Sequence, residues 1–147
     1  MPVHPVSDDR FPVCVVAIVH NLKSEVLLIK NAKPGRGWEL PGGKKKRGES
    51  WRDAVRRELE EEAGITDVAW SDENPVVIDG WPTSSAGYES IVILMEGAVL
   101  NDAQPIAGSD ALEAIWCPLD KIPWDDLSAI GSAEELKTWA RWRGASV

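Results

Sequence analysis

Residues 39–65 read ELPGGKKKRGESWRDAVRRELEEEAGI, and the fold turns on how this stretch is parsed. Pro41, Gly42 and Gly43 force a turn, and the two glycines let the backbone approach a neighbour closely. Lys44, Lys45, Lys46 and Arg47 follow as a basic loop. Ser50 to Ala63 then reads as a helix. Ser50 is placed to cap it, with Asp53 three residues on in a capping-box arrangement. Gly64 stands where a left-handed residue usually ends a helix. Trp51, Ala54, Val55, Leu59 and Ala63 make an apolar stripe at helical spacing, which must face a core.

Glu58, Glu61 and Glu62 fall at i, i+3 and i+4 on that helix and so share a face. A Glu-rich face is commonly just solvated, and Glu60 suits that reading. The other three border the buried stripe through Leu59. The simplest remedy for a converging trio of carboxylates is a divalent cation. Oxygen-only ligands suit Mg2+, with Mn2+ as a substitute, rather than Zn2+. Protein-bound Mg2+ usually takes one or two carboxylates plus substrate phosphates, so the site implies a small phosphorylated substrate. The basic loop of Lys44, Lys45, Lys46 and Arg47 lies beside it as a candidate for phosphate contact.

Strand-like runs lie on either side. PVCVVAIVHN and VLLIKN flank the turn NLKSE and predict a hairpin. WEL is a short strand entering the turn at Pro41. VAW, NPVVIDGW, ESIVILMEGAVL and LEAIWCPL follow the helix as further strands, and SAEELKTWARW is a closing helix. Ser132 is its expected cap, with Leu136, Trp139 and Ala140 facing inward. Strands before and after a helix, with a second helix at the end, predict an α/β fold: a mixed sheet in an α/β/α sandwich.

The chain has 147 residues, enough for one domain, drawn here as residues 10–143 behind a flexible N-terminal tail at residues 1–9. Net charge is −8, which argues against nucleic-acid or membrane-surface binding. The longest apolar run is too short to span a bilayer, and the first residues lack the order of a signal peptide. A cytoplasmic location is expected, and a homodimer is compatible with the sequence. Cys14 and Cys117 lie far apart in apolar runs and read as buried structural thiols. His4 and His20 are isolated and are given no catalytic role.

The segment Gly43 to Ile65 resembles the signature box of the Nudix hydrolases. Its pattern is Gly, five residues, Glu, seven residues, then Arg-Glu-apolar-x-Glu-Glu-x-Gly-apolar, and Gly43, Glu49, Arg57, Glu58, Leu59, Glu61, Glu62, Gly64 and Ile65 meet it without a mismatch. Chance agreement has odds of roughly one in a billion per start position. The resemblance implies a Nudix-type sandwich and metal-dependent, MutT-like hydrolysis of a nucleoside diphosphate linked to some group X. By position, Glu58, Glu61 and Glu62 match the metal ligands, with a backbone carbonyl at Gly42 or Gly43 as a further one. Arg57 matches the arginine that orients the glutamates, and Glu49 its partner. Glu61 is the first candidate for general base, with Glu89, Glu96, Asp110 and Glu113 as alternatives outside the box. Lys45 and Lys46 stand where members often carry an apolar residue and an acid.

Substrate choice lies outside the box. The stretch IWCPLDKIPWDDL resembles a segment of enzymes that clear oxidised purine nucleotides, and the expected substrate is a nucleoside triphosphate or oxidised purine nucleotide. ADP-ribose or dinucleoside polyphosphates, RNA 5′ ends, and nucleotide binding without cleavage are the alternatives. Eight tryptophans accompany one Phe and one Tyr. Trp38, Trp81 and Trp124 are candidates to stack on a base, and Asp125 and Asp126 to accept its N–H groups, which predicts a purine preference.

Overall fold

The β-branched run that opens the chain becomes the centre of the sheet, as its lack of charge requires. The computed structural model describes residues 12–71, 76–83, 88–127 and 133–142. Its strands are Val13–Asn21 (β1), Val26–Asn31 (β2), Trp38–Glu39 (β3), Gly42–Lys44 (β4), Ala69–Trp70 (β5), Val76–Thr83 (β6), Tyr88–Val99 (β7) and Ala111–Cys117 (β8). Its helices are Trp51–Ala63 (α1) and Ala133–Trp142 (α2). β1 runs parallel to β7 along its whole length, from Val13 opposite Ile91 to Asn21 opposite Val99. The other described pairings between strands are antiparallel, so the sheet is mixed.

Strand alternation divides the core in two. Val15, Ala17, Val19, Leu27 and Ile29 face α1, where they meet Ala54, Val55, Leu59 and Ala63. Val16, Ile18, Val26 and Leu28 face the other way, onto Leu136, Trp139 and Ala140 of α2. The period of two along β1 thus demands a helix on each face, and the α/β/α sandwich follows. No helix among the described residues is long and apolar enough to cross a membrane.

The Pro41–Gly43 stretch departs from its reading as a plain turn. Gly42–Lys44 is a short strand, with Gly43 opposite Val15 and Gly42 opposite Val16. β1 and β2 pair only at His20 and Val26, so β4 enters where those two strands diverge. A Cβ on Gly42 would collide with the Val15 carbonyl, so glycine is what allows the approach. The segment ahead of α1 is therefore fastened to the most buried strand.

α1 starts and stops as its sequence dictates. Ser50 Oγ accepts from the Asp53 amide at 3.1 Å. Gly64 closes the helix with φ 65°, its amide donating to the Glu60 carbonyl. Cys14 and Cys117 are both free. Cys117 is buried, and burial raises its thiol's proton affinity, whereas Cys14 is only half-buried. The tail at residues 1–9, His4 and the expected cap Ser132 lie outside the described residues, as do the two ends of the 10–143 domain.

Leu59 is 1% exposed and sits at the contact of α1 with the sheet. Leu59→Ala should lower stability by about 2–5 kcal/mol, and Ser50→Ala by about 0.5–2 kcal/mol. Urea unfolding of both variants checks the order; a larger loss at Ser50 would mean that the cap, and not the packing, holds α1.

Candidate metal and phosphate site

β4 and α1 meet at a narrow seat. The Gly42 amide donates to Glu62 Oε1 at 2.9 Å. A Cβ on Gly43 would run into the carboxylate of Glu58, with Oε2 at 2.8 Å. Both glutamates therefore lie against the glycine backbone, in a space that any side chain at Gly43 would fill.

Arg57 ties the helix to the loop before it. Its Nε and NH2 donate to the two oxygens of Glu49, at 3.0 and 2.8 Å. NH1 donates to Glu58 at 2.9 Å and to Glu61 at 3.3 Å. NH2 also donates to the Lys44 carbonyl at 3.1 Å. These bonds engage all five N–H groups of the guanidinium. The pair with Glu49 is bidentate, and the two side chains are 21% and 17% exposed, so it is more than a loose surface contact.

The electrostatics follow from these contacts. The Arg57 bond, helped by the Lys46 amide, holds the Glu49 carboxyl down at about 2. The Glu49 bond raises Arg57 above its usual range. Burial pushes Glu58 up against the opposing pull of Arg57. Burial also pushes Glu62 up to about 8, the Gly42 amide opposing and the charges of Glu58, Glu39 and Glu61 adding.

The expected convergence of three carboxylates is only partly met. Among the described residues, no three groups of the metal-binding types form a cage. Glu58 and Glu62 turn to the glycine seat, while Glu61 is 42% exposed and leans on Arg57. Repulsion between like charges, with a guanidinium among them, accounts for the spread. Two half-buried carboxylates beside a glycine backbone still fit a hard divalent cation whose remaining ligands are water and phosphate. A raised carboxyl pKa is what a buried oxygen ligand shows before a cation displaces its proton.

Other sequence candidates fall in different places. Lys44, Lys46 and Arg47 are exposed on the rim and Lys45 is half-buried, its ammonium donating to the Lys46 carbonyl. The Lys46 amide donates to Glu49 at 2.7 Å. Trp38 and Trp124 are half-buried against the α2-side core, on the opposite face of the sheet from the glutamates. Lys30 lies 5.5 Å from the Trp38 ring and bonds Asp126 at 3.0 Å. Asp125 and Asp126 are exposed in the 3-10 turn Trp124–Asp126. Glu96 also faces α2, accepting from the Trp139 indole at 3.0 Å and lying 3.2 Å from His20. Asp110 and Glu113 are exposed. The side chains of Glu89 and Trp81 lie outside the described residues.

Glu39 was not singled out by the sequence, yet it is a buried charge at 9% exposure. It accepts from Asn31 at 2.9 Å and from Arg36 at 2.6 Å. An acid between Trp38 and Leu40 in a strand that must be buried was the available signal.

A family model described as the NUDIX domain matches residues 10–139. A mouse (Mus musculus) protein named 8-oxo-dGDP phosphatase NUDT18 is 35% identical over 113 residues, covering 74% of this chain and 33% of its own. The zebrafish (Danio rerio) protein of the same name is 45% identical over 61 residues, covering 38% of this chain and 18% of its own. The chain thus spans a third or less of the curated relatives it matches. A crystal structure of a MutT protein from Methanosarcina mazei Go1 superposes with TM-score 0.71 and 27% identity, covering 92% of this chain and 96% of the other.

In the metal-free protein, Glu62 keeps its proton up to about pH 8, whereas the unfolded chain releases it near 4.5. Between those values the folded state binds more protons, so stability falls as pH rises, by at most about 1.4 kcal/mol per pH unit. Glu58, raised in the same direction, adds to the slope. Urea midpoints in chelator from pH 5 to 8.5 should fall for wild type and fall less for Glu62→Gln. Parallel curves would mean that Glu62 is not a desolvated, protonated group.

Proposed function

The chain belongs to the Nudix family, and on that footing we propose that it hydrolyses the phosphoanhydride of a purine nucleoside di- or triphosphate, with an oxidised guanine nucleotide first among the candidates. The Arg57 clamp carries the hydrolytic half of this reading: all the glutamates of the box are present, and one guanidinium holds Glu49, Glu58 and Glu61 against their mutual repulsion. A module that only senses a nucleotide has less need of the full set of glutamates. The name borne by the mouse and zebrafish relatives supports the choice of base.

Glu58, Glu61 and Glu62, with a carbonyl at Gly42 or Gly43, would hold Mg2+, for which Mn2+ substitutes. When bound, the cation acidifies water and offsets phosphate charge. The chain's own residues then orient and accept. Water adds its oxygen to one phosphorus, the anhydride P–O bond breaks, and the other phosphate leaves with the bonding electrons. The water proton passes to Glu61, whose side chain is 42% exposed against 15% for Glu58. Arg57 and Glu49 keep Glu58 and Glu61 in place. Trp38 and Trp124 face the α2 side of the sheet, so residues on the α1 side hold the base whose phosphates meet the box glutamates. The exposed cations Lys44, Lys46 and Arg47 favour RNA 5′-triphosphate ends as the second substrate class.

Turnover should be followed for dGTP, 8-oxo-dGTP, 8-oxo-dGDP, ATP, CTP, ADP-ribose and a 5′-triphosphate RNA, with Mg2+, Mn2+ or chelator. The oxidised guanine nucleotides should lead, and chelator should abolish activity. Glu58→Gln, Glu61→Gln and Glu62→Gln should each lower kcat by a hundredfold or more with the fold kept. Near wild-type turnover in two of the three would overturn the proposed metal site.

Base stacking contributes about 1–3 kcal/mol, a five- to hundredfold effect on KM, and Trp38→Ala and Trp124→Ala, on the far face of the sheet, should leave KM within about twofold of wild type. A fivefold or larger rise in KM in either variant would mean that the base reaches the α2 face, and a pyrimidine preference in wild type would remove the purine reading; neither would touch the metal chemistry.

A further inference from the structure

Beyond the box, the α1 face of the sheet carries a second charged group that the residues above leave without a task. Glu39 lies opposite Ile29 in the β2–β3 pairing, and Ile29 belongs to the core that Leu59 and Ala63 complete. Directly opposed residues share a face, so Glu39 points to the glutamate side of the sheet and not to the tryptophan side. Its two oxygens are both engaged, one by Asn31 at 2.9 Å and the other by Arg36 at 2.6 Å. Asn31 Oδ1 in turn accepts from the Lys33 amide at 2.8 Å, which fixes the loop that carries Arg36.

Arg36 is much less fully used than Glu39. Its described bond runs through NH2, while its Nε is buried and has no acceptor. The side chain is nonetheless 27% exposed, so the part of the guanidinium not spent on Glu39 can meet a ligand from solution, which the buried Nε cannot. The loop position ties Arg36 to the catalytic helix. The Ala32 amide donates to the Asp110 carbonyl at 2.9 Å. The segment before Asp110 caps α1, the Ile106 amide reaching the Ala63 carbonyl at 2.8 Å and the Gly108 amide the Glu62 carbonyl at 3.3 Å. Arg36 and the end of α1 that carries Glu61 and Glu62 are thus linked through one short segment.

We infer that Arg36 binds a phosphate oxygen of the substrate, and that Glu39 is the positioning residue that holds its guanidinium ready. The inference rests on the nucleotide reading above and extends it to a residue outside the box. A guanidinium offers paired donors that match the oxygens of a phosphate. A fixed one loses little freedom on binding, unlike the exposed lysines of the rim. The Glu39–Arg36 pair shares the face of the box glutamates, near enough for the Glu39 charge to act on Glu62, which is where the substrate phosphates belong.

Calorimetric titration with inorganic pyrophosphate in Mg2+ tests this without turnover. Arg36→Ala should weaken pyrophosphate binding at least tenfold, Arg36→Lys less, and Glu39→Gln by an intermediate factor, with binding of deoxyguanosine unchanged. Arg36→Gln, which keeps a donor for Glu39 but no charge, carries the same test if the alanine variant fails to fold. Pyrophosphate affinity within twofold of wild type in the Arg36 variants would overturn the inference. So would a loss confined to deoxyguanosine, which would make Arg36 a base contact, or a wild type that does not bind pyrophosphate at all. A wild type that binds pyrophosphate through Arg36 yet hydrolyses no nucleotide would sink the hydrolase reading alone.

Discussion

The Arg57 guanidinium is the constraint on which the site depends. Glutamates spaced three and four residues apart on one helix repel each other, and burial beside the sheet makes that repulsion stronger. Arg57 answers with donors to Glu58, Glu61, Glu49 and the Lys44 carbonyl. It neutralises part of the acidic face and binds the loop before the helix to the helix itself. A lysine supplies a single point charge and has no fork with which to hold Glu49 by both oxygens.

That clamp needs something rigid to act against, and the sheet provides it. Gly42 and Gly43 pair with β1, the strand with a parallel neighbour along its whole length and a helix-covered core on each face. The glutamates on α1 and the glycine backbone on β4 are therefore set by two elements packed through Leu59, Val55 and Ala63. The 105–111 segment restrains the far end of α1. No basic residue stands in its last turn, and the Ile106 and Gly108 amides take up carbonyls there instead. Local chemistry and global packing agree at this helix, which is the consistency a fixed site needs.

The two faces of the sheet divide the charges. On the α1 side lie the box glutamates and the Glu39–Arg36–Asn31 group, suited to a cation and phosphates. On the α2 side lie Trp38, Trp124 and the His20–Glu96–Trp139 cluster, whose rings His20 and Trp139 are 5.4 Å apart. Glu96 is thereby removed from the candidates for a general base at the box. Its carboxylate serves the indole of α2 on the far side of the sheet.

What the sequence determined by itself is local in origin. The helix, its Ser50 cap and its Gly64 stop follow from spacing and backbone preference, and the shared face of Glu58, Glu61 and Glu62 follows from the helical period. Strand patterning was enough for the sandwich, because a strand apolar on both faces requires cover on both. Tertiary structure decided what depends on register and on contacts far apart in the chain. Gly42–Lys44 becomes a strand only because β1 and β2 diverge and leave β1 open to pairing. Trp38 and Glu39 are neighbours in sequence, yet strand alternation sends one to each side of the sheet. Glu39 meets Arg36 and Asn31, and Glu62 meets the Gly42 amide, only after the sheet and α1 have packed. Burial then raises the proton affinity of Glu62 well above that of an ordinary glutamate, because desolvation is a property of the folded surroundings and not of the residue.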